Sequence, residues 1–312
     1  MATPLNVALL GECMLELQGQ AFGAMHQGFG GDTLNTAVYL ARCADASALR
    51  CYYATALGDD ALSSGLLSRW AAEGLDLSLV RRIPGRLPGL YMIELDECGE
   101  RSFSFWRDSS AAKAYFDVEL SPLECDPGQW DALYLSGTSL AILPASGRQR
   151  VFALMRTLRE RGATVVFDNN FRARLWPDRA EARDCFEQAL ALASLALVTV
   201  DDHQLLLGVN SRDEALAHAR ELTAPELVIK RGAESTLVRS SGAGWLEVPT
   251  VPVATVVDTT AAGDSFAAGY LCRRLAGASA QQAALFGNQL AARVIQHHGA
   301  VIPRAAMADL AA

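Results

Sequence analysis

The sequence predicts an α/β fold, a parallel sheet covered by helices on both faces, with a small second β-sheet projecting from it as a lid. Three observations predict it. Short apolar runs suited to buried strands recur along the chain. Helix-like segments of period 3.6 lie between many of them. Two stretches break that alternation, with extended segments and no helix between them.

The elements follow in order. "NVALLGE" near residue 7 holds a four-residue apolar run before Gly11 and reads as a first strand; no basic segment precedes it, so it is not read as a secretory leader. "CMLELQGQ" at 13–20 breaks the rhythm and begins the lid. In "GFGGDTLNTAVYLARC" at 28–43, Gly30 and Gly31 form a turn, and Asp32 is expected to cap a helix with Leu34, Val38 and Ala41 on its apolar side. "YYATALG" near 54 is a strand. "PGLYMIELDECGERSFSFWR" at 88–107 reads as a hairpin turning at Asp96-Glu97-Cys98-Gly99.

Buried strands return as "ALYLSG" near 134, "TVVFD" near 166, "LALVTV" near 198 and "LVIK" near 228. Helices such as "RQRVFALMRTLRERG" and "EARDCFEQALALA" fall between them. The last predicted helix of note is "AAGDSFAAGYLCRRLAG", with Arg273 and Arg274 in its final turn and Gly277 as its stop. There is no repeat, low-complexity tract or linker. The expectation is one domain over 1–312, with lid excursions at about 12–32 and 86–109.

Composition narrows the function. At 312 residues and 51% hydrophobic content the chain can bury a large core, and its net charge of −8 argues against nucleic acid or an acidic membrane surface as partner. A small anionic substrate would need local arginines. The seven cysteines are scattered and never in CxxC spacing, which fits reduced thiols in the cytoplasm. No stretch approaches a membrane span. The histidines show no metal spacing, a Walker-type phosphate loop is absent, and no GxGxxG follows the first strand, which counts against a dinucleotide oxidoreductase.

Several constellations remain. Asp264 stands behind Ala261-Ala262-Gly263 at a helix start, where unpaired amides and the positive dipole end can receive an anion. A carboxylate there repels phosphate unless it has a task, such as accepting a proton from an attacking hydroxyl. An ordinary capping aspartate is the equal alternative. Asp32 and Asn35 share one face of a first turn and offer hydrogen bonds to a polyol, or simply to solvent. Asp168, Asn170 and Arg172 follow a strand end, the usual ligand crevice of such sheets, where they also suit a loop network. Lys230 and Gly232 end another strand, by default in a β-turn. Arg107 beside Trp106 suits a carboxylate, or a stacked surface position.

Taken together, Asp258-Thr259 followed by Ala261-Ala262-Gly263-Asp264 and Ala268-Gly269 resembles the C-terminal signature of the ribokinase-like (PfkB) carbohydrate kinases, and "GGDTLNTA" is similar to their N-terminal one. The resemblance spans "VALLGECMLEL" to "HHGAVIPR". Within the family, "RLPGLY", "WRDSSAA", "FDNNFRARLW" and "DTTAAGDSF" look most like the kinases of a sugar acid, 2-keto-3-deoxygluconate.

The resemblance implies a three-layer, Rossmann-like α/β/α domain whose lid closes over the sugar, with ATP and magnesium as cofactors. It leaves activation by a monovalent cation and the metal ligands open; separately, an exposed edge of the lid sheet invites pairing, so a homo-oligomer of two or more copies is expected. The resemblance further implies Asp264 as catalytic base, with the backbone of Ala261, Ala262 and Gly263 as an anion hole. Gly31, Asp32, Asn35 and Tyr91 would meet the sugar, with Phe105, Arg107 and Arg172 at its acid end. Asn170, Arg172, Lys230, Gly232, Ser235 and Asn288 would serve the nucleotide, together with Ala261 and Gly263. A kinase of fructose or another neutral sugar shares this catalytic half, and a non-catalytic sugar sensor could share the fold.

Three departures from the family pattern stand out. Ala261 replaces a glycine and fits only with a negative φ. Ser235 replaces a glycine of the nucleotide loop. The family's Asn-x-x-Glu has no counterpart in "LVTVDDHQ", where Asp201 and Asp202 are the available substitutes.

Overall fold

Strand β1 (Leu5–Leu10) sends Val7 and Leu9 into one core and Ala8 and Leu10 into another, so the sheet it belongs to is covered on both faces. The computed structural model describes residues 3–95, 101–240 and 242–310; the expected hairpin turn at 96–99 lies outside the described residues. The next strands are β2 (Met14–Gly19), β3 (Met25–Gly30), β4 (Leu49–Leu57), β5 (Val80–Arg82), β6 (Gly89–Leu95) and β7 (Arg101–Trp106). They continue with β8 (Ala132–Ser136), β9 (Thr164–Asp168), β10 (Leu195–Thr199), β11 (Glu226–Lys230), β12 (Thr236–Arg239) and β13 (Leu246–Val248). The helices begin with α1 (Asp32–Cys43), α2 (Ala61–Ala72), α3 (Gly137–Ala141), α4 (Ala145–Glu160) and α5 (Arg179–Leu192). Then come α6 (Val200–Leu207), α7 (Arg212–Arg220), α8 (Ala262–Leu275) and α9 (Ala280–Val294).

The larger sheet has nine strands in the order β13-β12-β11-β10-β9-β8-β1-β4-β5. It is parallel from β11 to β5, and β12 and β13 close one edge antiparallel. On one face Leu133, Phe167 and Ile229 pack against α4 and α5 through Met155, Leu158 and Phe186. On the other, Tyr134, Val166 and Val228 pack against α1, α8 and α9 through Val38, Tyr270 and Leu290. These are the expected three layers.

Strand order reverses between β1 and β8: the chain runs from β1 to β4 and β5 on one side, then from β8 onward on the other. Open α/β sheets hold their ligands at that reversal, outside the carboxyl ends of the strands. A second sheet, β3-β2-β6-β7, stands over this edge, joined to the body through Gly11–Cys13 and Gly31 on one side and by the chain either side of β6 and β7 on the other.

One local expectation is corrected. Asp32 does not cap α1; Gly31 takes that position, with φ 176 and ψ 138, and Asp32 is the first helical residue. A Cβ at position 31 would lie 2.1 Å from the carbonyl oxygen of Glu12, so the crossing past Glu12 admits only glycine there. The Asp32 carboxylate is thereby set one residue too late to cap, and accepts from the adjacent Thr33 amide at 2.8 Å.

Candidate active site

Parallel register brings the polar ends of four strands together. Ser136 lies opposite Asp168, and Thr199 opposite Lys230, at the rim where α1 and α8 begin. This rim and the second sheet enclose a cleft of about 790 Å³.

The two helix starts are tied by two contacts. The Asn35 amide donates to Oδ2 of Asp264 at 2.8 Å, and the Thr36 hydroxyl to the Asp264 carbonyl oxygen at 3.3 Å. Asn35 Oδ1 is buried without a partner. Asp32 Oδ2 accepts from the Ser136 hydroxyl at 2.5 Å and also from the Asn170 amide. Deeper in, Lys230 Nζ pairs with Asp168 Oδ2 at 2.8 Å, and the Tyr134 hydroxyl donates to the same oxygen at 3.3 Å. Burial and the charge of Asp32 push the Asp264 carboxyl up to about 7, against the opposing pull of Asn35 and Lys230.

Helix α8 starts at Ala262, as its small-residue run implies, with Asp264 in its first turn. Gly263 and Asp264 stand in the first turn of α8, where backbone amides lack an intrahelical acceptor, and both residues line the cleft, whereas the Ala262 amide donates to the Thr259 carbonyl at 3.2 Å. Here the second correction falls. Ala261 sits at φ 59, ψ 16, in the left-handed region, rather than at the negative φ expected for a residue with a Cβ. That conformation carries about 1–2 kcal/mol of strain. The loop around it is pinned: Asp258 accepts from the Thr260 amide and hydroxyl and from the Gly299 amide, and the Ser265 amide closes onto the Ala261 carbonyl at 2.9 Å.

The opposite wall is aromatic and basic. Tyr91 and Phe105 stack at 5.9 Å, Phe103 continues the stack, and the Tyr91 hydroxyl donates to Glu16. Arg107 is almost fully buried and pairs with Glu12, which is also buried. Trp106 is exposed, so the alternative of a surface arginine stacked on it does not describe this site. Arg172 pairs with Asp202 at 2.9 Å, and burial raises the Asp202 carboxyl against that pairing.

The cleft therefore gathers Gly31, Asp32, Asn35, Tyr91, Phe105, Arg107, Asn170, Arg172, Lys230 and the Ala261–Asp264 turn. Gly232 and Ser235 stand outside its walls, in the β11–β12 turn, where Gly232 has φ 68. Asn288 is buried in α9, its side-chain oxygen accepting from the Thr236 hydroxyl and its amide donating to the Pro249 carbonyl. Asp201 pairs with Arg212 away from the cleft. Sequence reasoning missed Glu12, Thr138 and Arg174 as cleft residues. Glu12 was signalled by its place just after the first strand, and Arg174 by spacing two residues beyond Arg172.

The pfkB family of carbohydrate kinases matches residues 5–306. The 2-dehydro-3-deoxygluconokinase of Escherichia coli is 46% identical over 305 residues, covering 97% of this chain and 98% of the relative. That of Dickeya dadantii is 46% identical over 308 residues, covering 98% and 99%. Among solved structures, a PfkB protein from a Polaromonas species is 28% identical and superposes with a TM-score of 0.80 over 94% of this chain and 96% of its own. With signature residues converging on one cleft and the match running almost from end to end, the chain belongs to the pfkB family of carbohydrate kinases.

Proposed function

We propose that the protein is an ATP-dependent kinase that phosphorylates the 6-hydroxyl of 2-keto-3-deoxy-D-gluconate. The observation that carries this reading is the Asn35–Asp264 hydrogen bond, which brings these two side chains to the same point of the cleft. The extended match to relatives of that activity supports the choice of sugar.

In this reading Gly31, Asp32 and Asn35 hold the sugar hydroxyls, and Asp264 accepts the proton of the 6-hydroxyl. The freed oxygen forms its bond to the γ-phosphorus as the bond to the ADP oxygen breaks. The open amides of the α8 first turn face the charge that develops on the transferring group. Lys230, 3.5 Å from where a Cβ on Gly263 would stand, adds positive charge beside that turn. Asn170 and Arg172 bridge sugar and phosphates, while Gly232, Ser235 and Asn288 border the adenosine end. The second sheet acts as a lid: Tyr91, Phe103 and Phe105 exclude water, so the sugar rather than solvent receives the phosphate.

Among the described residues no cluster of three or more acidic, histidine or cysteine side chains forms a metal cage. Magnesium needs none, since it keeps water and phosphate oxygens and takes one or two carboxylates; Asp202 and Asp168 line the cleft and fit that demand. Held there, the ion would supply neutralisation of phosphate charge. The reading also takes the protein as a homo-oligomer working in the cytoplasm; no helix among the described residues is long and apolar enough to cross a membrane.

Incubation with ATP, magnesium and a panel of sugars and sugar acids, following ADP release, tests this. ADP release driven by 2-keto-3-deoxygluconate above all others is the expected result. Preference for fructose, or no sugar-dependent release, would overturn it.

A further inference from the structure

Three arginines line one end of the cleft: Arg107, Arg172 and Arg174. Two of them are already answered by protein carboxylates. Arg107 is held by Glu12, with both side chains buried, and Arg172 is held by Asp202 at 2.9 Å. Arg174, in the single turn Ala173–Leu175, has no hydrogen-bond or ion-pair partner among the described residues. Its guanidinium carbon lies 3.5 Å from the centroid of the Phe105 ring.

Stacking on a ring uses the face of a guanidinium and leaves its edge N–H groups for an in-plane, two-pronged partner. Three guanidinium groups face two carboxylates here, so this corner holds more positive charge than the protein neutralises, and burial and the neighbouring charges of Arg107 and Arg172 lower the Arg174 pKa. An anion entering the cleft meets that excess, and a neutral sugar does not. We propose that Arg174, seated on Phe105, binds the carboxylate of the sugar acid and selects it over neutral sugars. The proposal rests on the kinase reading above and deepens it by assigning the acid-recognising group. Glu12 and Asp202 in turn keep Arg107 and Arg172 in place as walls of the same pocket.

Steady-state kinetics on Arg174→Gln and Arg174→Lys, with 2-keto-3-deoxygluconate varied at saturating ATP, tests this. Arg174→Gln is expected to raise KM for the acid on the order of 10- to 100-fold, as loss of a charged hydrogen bond does, with kcat within a few-fold and KM for ATP unchanged. Arg174→Lys keeps the charge without the planar fork and is expected to recover only part of that loss. An unchanged KM in Arg174→Gln overturns the proposal and leaves the kinase reading standing. The same holds for a loss confined to kcat, which marks a packing role. A wild-type enzyme that phosphorylates no sugar acid overturns both.

Discussion

The two walls of the cleft satisfy their charges in different ways. The floor, made of strand ends and helix starts of the nine-stranded sheet, is internally paired: Asp168 with Lys230, Asp32 with Ser136 and Asn170, Asp264 with Asn35. The roof, carried by the four-stranded sheet and the 172–174 turn, combines stacked rings with clustered arginines and leaves Arg174 unanswered. The floor and the 172–174 turn, flanked by Phe171 and Trp176, rest on the main cores, whereas the four-stranded sheet has a small core of its own, built on Met14, Tyr91 and Ile93. A cross-linked floor can hold reacting atoms still, as phosphoryl transfer requires. A roof with spare charge and a slight core suits selection and closure. On the proposed reading, chemistry lies below and specificity above.

The largest break in this comparison is expected at the floor. Asp264→Asn keeps the shape of the side chain and removes the base, so turnover should fall on the order of 10²- to 10⁴-fold, with KM for the sugar acid little changed. Parallel measurement of kcat and KM decides it. Turnover near that of the wild type would take Asp264 out of the base role.

The next effect falls on stability. Lys230→Met strips the counter-charge from Asp168, a carboxylate 3% exposed. Removing one partner of a buried pair costs about 3–5 kcal/mol, because the remaining charge stays out of water. Denaturant unfolding should show that loss, and Asp168→Asn combined with Lys230→Met should recover part of it. No recovery would mean that Lys230 acts through packing alone.

A smaller effect sharpens the electrostatics of the floor. With its carboxyl pushed up to about 7, Asp264 becomes a competent base only as pH rises through that value, so kcat/KM should fall on the acid side of about 7. Asn35 holds the carboxyl down and Asp32 pushes it up. Asn35→Ala should therefore move the acidic limb to higher pH and Asp32→Asn to lower pH. Shifts of the same sign in pH–rate profiles would break this account.

How far such a site can be read from sequence depends on what fixes each residue. Asp264 and Asn35 were legible because both sit in first helical turns, where local sequence determines position. The strand ends at Asp168 and Lys230 were legible for the same reason, through their apolar runs. The partners were not. That Asp168 meets Lys230, 62 residues away, or Arg107 meets Glu12, 95 away, follows from sheet order and lid closure rather than from any local pattern. Asp32 and Ala261 fail in an instructive way. At Gly31 the approach of the Glu12 backbone moves the cap by one residue, and at Ala261 the pinned 258–265 loop imposes a φ that alanine does not choose. Tertiary constraint overrides local preference at Gly31 and Ala261, just ahead of the two helices.

The smallest expected effect bears on why the floor is strained at all. A carboxyl whose folded pKa lies near 7, above its unfolded value of 3.8, binds a proton more tightly in the folded state. Its stabilising contribution is complete below the unfolded value and is lost as pH rises through about 7. At pH 8 the wild type therefore carries an ionised, desolvated Asp264 beside Asp32, and a neutral amide at that position relieves it. Asp264→Asn should melt higher than the wild type at pH 8, by about 1–2 kcal/mol once partial solvent access is allowed for, and the gap should close at pH 5, where the wild-type carboxyl is protonated. Thermal unfolding at the two pH values reads the difference directly. A gap of equal size at both would mean that the substitution acts through the Asn35 hydrogen bond rather than through charge. A stabilised but inactive variant would show that the floor holds its base in a state the fold alone disfavours, and the roof, with its charge left for the substrate, offers no counterpart.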